Sequence, residues 1–259
     1  MIDAAALADQ LLEEHRQGVR YHALAEVAND LAKAYAVQEA LIGRLIARAA
    51  DSGGGEIVGW KIGLTSAAMQ AMAGITTPVA GAILNVGAHR SGATLRAAGH
   101  GRLGVESEVA VRMKATPPAG AEHDPAAVLA SIDVVAAAYE VVDDRNADYA
   151  VLEAGTLVAD NSWNAGMVLG EPVAVEQAPQ LAGMSGTLTR DGAVIGDGES
   201  ADVLQIVGWL SDHLRTRGRR LEPGQWVLTG SVVRTEFALP GQHYHFTVGA
   251  LPPVEVWVE

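Results

Sequence analysis

The hydrophobic rhythm of the chain changes near residue 55, and this change constrains the fold more than any other feature. Before it, apolar residues recur at steps of three and four. Leu7, Leu11 and Leu12 form a short stripe that Gly18 ends. Leu24, Val27, Ala28, Leu31, Tyr35, Leu41, Ile42, Leu45 and Ile46 form a longer one. Both predict amphipathic helices. Asp51-Ser52-Gly53-Gly54-Gly55 then predicts a glycine-rich C-cap and hinge. Beyond it, short apolar runs at 57–62, 107–113, 134–142, 167–169, 186–189, 226–228, 244–248 and 254–258 read as strands. Gly and Pro separate them, which predicts a rolled or sandwiched sheet rather than a doubly wound one. Two helices interrupt the pattern. Asp124-Pro125 supplies an N-cap and a first-turn proline for a helix over Ala126–Ile132. Val203, Ile206, Val207, Leu210 and Leu214 mark the other, capped by Ser200 or Asp202 and stopped near Gly218. The expected class is α+β: a mixed β-roll or β-sandwich core, with an N-terminal helical region at 1–55 and a β-rich catalytic region at 56–259.

Composition narrows the chemistry. The 259 residues include no cysteine, which excludes disulfide scaffolds, thiolate nucleophiles and Cys-ligated metals. The formal charge of −13 argues against a protein that grips nucleic-acid backbones. No apolar run approaches the roughly 20 residues of a spanning helix. The first residues lack a basic segment and an apolar core, so no signal peptide is expected and a cytoplasmic location is.

Three glutamates stand in apolar strand contexts. Glu106 and Glu108 are two apart in Gly104-Val105-Glu106-Ser107-Glu108-Val109, so on a strand they share one face. Neighbouring anions repel unless a cation or proton lies between them, and a hard divalent ion answers that need. A solvated strand face is the plain alternative. Glu140 ends an apolar run and is costly to bury alone. It has two candidate uses: pairing with Arg145, or supplying a third oxygen to the same ion. Lys61, between Trp60 and Ile62, reads as an acid/base with a depressed pKa, a clamp for a substrate carboxylate, or a snorkelling surface side chain. Asp160-Asn161-Ser162-Trp163-Asn164 reads on its own as a turn. His243 and His245 are placed to share a strand face, with partial exposure favoured over metal binding. GxSxG, Walker and His-Glu-x-x-His motifs are missing from the sequence.

Together, Gly59-Trp60-Lys61-Ile62-Gly63-Leu64-Thr65-Ser66, Gly104-Val105-Glu106-Ser107-Glu108-Val109-Ala110, Glu140-Val141-Val142-Asp143-Asp144-Arg145 and Val158-Ala159-Asp160-Asn161 resemble a known group. It is the 2-keto-4-pentenoate hydratase and 4-oxalocrotonate decarboxylase family of the fumarylacetoacetate hydrolase superfamily. Ala34-Tyr35-Ala36-Val37-Gln38, Thr229-Gly230-Ser231 and Pro240-Gly241 extend the likeness over most of the chain.

The resemblance implies the superfamily's mixed β-roll, a homo-oligomer, and Mg²⁺ or Mn²⁺ held by Glu106, Glu108 and Glu140. It implies catalytic roles for Lys61, Asp160 and Asn161, and substrate contacts from Leu64, Thr65, Ser66, Ser162 and Ser231. The implied substrate is a small 2-hydroxy-dienoate or 2-oxo-alkenoate from aromatic catabolism, and the implied reaction is hydration. Decarboxylation at the same site, acylpyruvate hydrolysis, and a non-catalytic role supporting a pathway enzyme are the alternatives. Two departures bear on the choice. Many hydratases of the group carry Asp where this chain has Val79, whereas the decarboxylases tend to be apolar there. After Asp160-Asn161 the family usually continues Ala-Ser-Ser, but here the chain reads Ser162-Trp163-Asn164.

Overall fold

The structure is a computed structural model, and it describes residues 2–28, 30–50, 54–178 and 180–259. Helix α1 (Ala4–Gln17) starts on the Asp3 side chain and ends at left-handed Gly18, as its stripe predicts. Helix α2 (Leu31–Ala50) starts later than its stripe: Leu24, Val27 and Ala28 lie in a turn. The Leu24 N–H is taken by the Thr156 hydroxyl, and Asp30 Oδ1 caps the helix by accepting from the Lys33 N–H. Leu24 and Val27 are buried nonetheless, so packing and not helix geometry set their spacing. The expected hinge falls partly on residues 51–53, outside the described residues.

The β-rich part begins with β1 (Ile57–Gly63), helix α3 (Ala67–Met72), β2 (Val79–Leu84), β3 (Ala88–Arg90), β4 (Ala93–Leu95) and β5 (Leu103–Met113). It continues through α4 (Pro125–Ala130), β6 (Ile132–Asp143), α5 (Ala154–Ala159), β7 (Asn164–Leu169) and β8 (Val173–Ala174). β9 (Ser185–Arg190), β10 (Ala193–Glu199), α6 (Val203–Thr216), β11 (Trp226–Phe237), β12 (His243–Val248) and β13 (Val254–Val258) complete it. Asp202, one of the two expected caps, accepts from the N–H groups of Leu204 and Gln205 at the start of α6.

Two mixed sheets result. The larger runs β2-β1-β11-β5-β6-β7-β3, with β8 beside β6, and the smaller runs β10-β9-β12-β13-β4. The pairs β1 with β11, β3 with β7 and β4 with β13 are parallel, and the rest are antiparallel. The main core lies between the sheets and under α4 and α6, where Val109, Val111, Tyr139, Leu210 and Phe246 are buried. The helices α1 and α2 do not stand apart from the sheets: Leu11, Tyr35 and Leu41 share an apolar cluster with Val79, Val142, Leu157 and Trp163.

On its other face the large sheet curls until β2 meets β7. Gly81 permits the approach, because a Cβ there would lie 2.5 Å from the Asn161 carbonyl oxygen. Ile83, Ala110, Ala138, Met167 and Leu228 line this concave face, and longer polar side chains follow Ala110 and Ala138 along β5 and β6.

Candidate active site

Those polar side chains are the three glutamates. Their period-two spacing on β5 directs Glu106 and Glu108 to the concave face. Register does the rest, because Glu106 on β5 pairs directly with Glu140 on β6. One carboxylate oxygen from each of the three lies within 4.8 Å of the others. They are the one group of three potential metal-ligating side chains so close together among the described residues. Glu108 and Glu140 are wholly buried.

Each carboxylate is oriented by one or more donors. The Gly230 N–H donates to Glu108 Oε2 at 2.8 Å, the Asn164 amide to Glu140 Oε1 at 3.0 Å, and the Thr235 hydroxyl to Glu106 Oε1. Gly230 is needed there: its φ is 99°, and a Cβ would sit 2.9 Å from Thr65 Cγ2. Lys61 is buried beneath Gly63, with Nζ 3.1 Å from Glu140 Oε2. Glu140 therefore pairs with Lys61. Arg145, its other candidate partner, has a positive φ of 49°, donates to Glu14 at 2.8 Å and forms an ion pair with Asp160 at 3.0 Å.

Burial and charge crowding dominate the electrostatics. Burial, with Glu140 and Glu106 beside it, pushes Glu108 well above the usual carboxylate range. Burial likewise pushes Glu140 up to about 7, although Lys61 pulls the other way. A depressed pKa for Lys61 is not what the structure gives. Burial does act to lower it, but Glu140, Glu106 and Glu108 together outweigh burial and hold the ammonium charged.

This donor set fits a hard divalent cation. It is made only of carboxylate oxygens, with buried Glu108 Oε1 lacking any hydrogen-bond partner.

A cavity of about 320 Å³ opens beside Glu106. Leu64, Thr65 and Ser231, expected to touch substrate, line it along with Ile62, Gly63, Met69, Gly230, Arg234 and Thr235. Ser66 is held instead as the N-cap of α3, where its hydroxyl accepts from the Met69 N–H. Ser162 is buried and donates to the Ala80 carbonyl. The Asn161 side chain bonds both the N–H and the C=O of Ala82, fixing the turn against β2. Asp160 points toward the N-terminal helices, with His15 Nε2 at 2.6 Å and Arg145 beside it. Burial opposes charging His15, but the contact with Asp160 outweighs it and raises the pKa. Asp160, Asn161 and Trp163 line a separate cavity of about 230 Å³ with His15 and His100. The structure thus brings Lys61 and the three glutamates together and leaves the Asp160 and Asn161 side chains outside their group. Outside the site, His243 is partly buried, with Nε2 3.1 Å from Glu255 and its ring stacked on Trp257.

Asn164, Thr235 and Arg234 escaped the reading of the sequence. Asn164 is visible there as a departure from the Ala-Ser-Ser pattern. Nothing local marks the other two.

A curled mixed sheet packed on a second sheet, with a glutamate trio on its concave face, defines a protein of the fumarylacetoacetate hydrolase superfamily. No protein-family model matches the chain. A 2-keto-4-pentenoate hydratase of Burkholderia vietnamiensis is 31% identical, with 88% of this chain and 87% of that protein covered. A 4-oxalocrotonate decarboxylase of Pseudomonas putida is 28% identical, with 90% of this chain and 89% of that protein covered. The solved structure of 4-oxalocrotonate decarboxylase from Pseudomonas putida G7, complexed with magnesium and adipate, superposes with a TM-score of 0.86 at 25% identity. That superposition covers 99% of this chain and 97% of the other. The chain belongs to the 2-keto-4-pentenoate hydratase and 4-oxalocrotonate decarboxylase family. Among the described residues, no helix is long and apolar enough to cross a membrane.

Proposed function

We propose that this chain is a divalent-metal-dependent lyase that hydrates a short 2-hydroxy-dienoate or 2-oxo-alkenoate. The observation that carries the reading is the convergence of Glu106, Glu108 and Glu140 with Lys61 at the end of an otherwise apolar concave face. Glu106, Glu108 and Glu140 would hold Mg²⁺ or Mn²⁺. When bound, such an ion supplies Lewis-acid stabilisation of the negative charge that develops on the substrate's 2-oxygen during proton transfer.

The chain's own groups have separable tasks. Asn164, Gly230 and Thr235 fix the orientation of the three carboxylates. Lys61 Nζ, the buried ammonium beside Glu140, is the proposed proton carrier. The apolar side chains of Leu64 and Met69 shield the alkene from bulk water. Thr65 and Ser231 offer hydroxyls that can orient one water for addition. Asp160 and Asn161 act by holding the surrounding turn rather than by touching substrate.

Decarboxylation is the second reading, and Val79 favours it. Val79 is buried at the end of β2, and both its Cγ2 and Lys61 Nζ lie within van der Waals reach of where a Gly63 Cβ would stand. The carboxylate that many hydratases of the family carry at this position is thus replaced by a methyl-bearing wall beside Lys61. Loss of CO₂ requires no oriented water. The test is to offer magnesium-loaded protein 2-hydroxypenta-2,4-dienoate and 4-oxalocrotonate, following dienoate absorbance and released CO₂. Hydration consumes the first without CO₂, and decarboxylation releases CO₂ from the second. Turnover of neither refutes both readings.

A further inference from the structure

Asn161, Ser162 and Trp163 hold positive φ angles of 48°, 50° and 61°. L-residues visit this left-handed region singly, and a run of three persists only where the surroundings enforce it. None of the three is glycine, and all are buried. Contacts with β2 enforce part of the shape. The Asn161 side chain bonds both backbone groups of Ala82, and the Ser162 hydroxyl donates to the Ala80 carbonyl. The rings of Tyr21 and Tyr149 meet Trp163 edge-on, with centroids 5.2 and 5.7 Å away.

The turn runs from Asp160 to Asn164. The Asp160 carbonyl accepts from the Trp163 N–H at 2.9 Å, and the Asn161 carbonyl accepts from the Asn164 N–H. Asn164 starts β7, where the pairing with β6 shifts register, and its side-chain amide donates to Glu140 Oε1. One end of the strained turn is thus tied to a glutamate of the trio. The other end is tied to helix α1. The buried Asp160 carboxylate has one hydrogen-bond partner among the described residues, His15 Nε2 at 2.6 Å. Arg145 adds an ion pair at 3.0 Å and is itself held by Glu14, the residue before His15. Without His15, a buried carboxylate would keep the ion pair and lose its hydrogen bond. Such a group is costly and turns toward any donor it can reach. Asp160 would then shift the carbonyl that closes the turn.

We infer that His15 is a positioning residue of the glutamate site: by fastening Asp160 it keeps the Asn161–Trp163 turn left-handed, and so keeps Asn164 on Glu140. This rests on the proposed function for the role of Glu140 as a metal ligand. The plain alternative is that His15 only docks α1 on the sheets. Docking alone would change stability and leave magnesium affinity untouched, whereas positioning couples His15 to the metal through Asn164.

The test is a double-mutant cycle on magnesium affinity, read by calorimetry and independent of turnover. His15→Leu is expected to weaken magnesium binding about fivefold. The same change made in the Asn164→Ala background is expected to have no further effect, because the contact it acts through is already gone. His15→Gln, which keeps an N–H donor for Asp160, is expected to recover part of the affinity. Urea denaturation without metal checks that each variant is folded and measures the docking contribution separately. Parental magnesium affinity in His15→Leu would overturn the inference, as would losses that simply add in the double variant. A parent protein that binds no magnesium would sink the proposed function itself, and the positioning role with it.

Discussion

Glu106 and Glu140 stand directly opposite one another in the ladder between β5 and β6. Like charges in that position destabilise a sheet, and Glu108 adds a third carboxylate on the same concave face. Lys61 offsets one charge. The remaining repulsion is the physical reason a divalent cation fits here, and it makes the site sensitive to small changes.

Replacing Glu106 with Gln removes one oxygen anion and keeps the shape. Magnesium affinity should fall by more than about 100-fold, beyond the range found for residues that only support a ligand. The metal-induced rise in Tm should vanish, while the metal-free variant should be at least as stable as the parent. Calorimetry and melting with and without magnesium measure both effects. Unchanged metal affinity would remove Glu106 from the ligand set.

Asn164 touches the glutamates only through Glu140. Asn164→Ala frees the Glu140 carboxylate to rotate, and magnesium affinity should drop about tenfold. The fold should persist, because Asn164 is only half-buried. A calorimetric titration that matches the parent would show that Lys61 alone is enough to position Glu140.

Lys61→Met removes the buried cation and keeps an apolar stem. The metal-free variant should lose stability as the pH rises above about 7, where Glu140 must give up its proton with no cation beside it. Added magnesium should restore part of that loss, and turnover should be abolished with metal still bound. Urea denaturation with and without magnesium, beside the dienoate assay, separates the effects. Retained turnover would exclude Lys61 as the proton carrier.

His213 stacks on Trp209 at 4.7 Å and lies 4.8 Å from Tyr35, and its Nε2 is buried without a partner. Burial, with Arg217 close by, lowers its pKa from 6.5 to about 4. Between these values the unfolded chain binds the proton and the folded one does not. The contribution of His213 is therefore complete above pH 6.5 and is lost as the pH falls toward 4, up to about 3 kcal/mol. His213→Phe keeps a ring and should flatten this part of the profile. Denaturation midpoints for both proteins from pH 4 to 8 test it, and parallel profiles would contradict it.

Much of this protein was legible because its signals are local. Gly18, Asp202 and the leucine stripes of α1 and α6 act within one or two helical turns. The spacing of Glu106 and Glu108 needs only the period of a strand. Signals that needed distant partners were misread or invisible. The stripe from Leu24 to Ala28 has helical spacing but is held as a turn by Thr156, far along the chain. β2 and β10 were not anticipated, since Ala-Gly and Gly-Asp-Gly segments carry little strand propensity until neighbours pair with them. β11 was foreseen only over 226–228, because its bulges and charged residues interrupt the alternation on which the reading depends.

The sequence alone determined that three glutamates and a lysine would lie in apolar strands, with no thiolate to compete for a metal. Burial of those strands follows from composition and period, which are properties of short segments. Only the tertiary structure decided which partners meet. It set Glu106 opposite Glu140, gave Glu140 to Lys61, and turned Arg145 toward Glu14 and Asp160. Register, sheet curl and bulges fix these contacts. They depend on the packing of segments far apart in the chain, which no local pattern encodes.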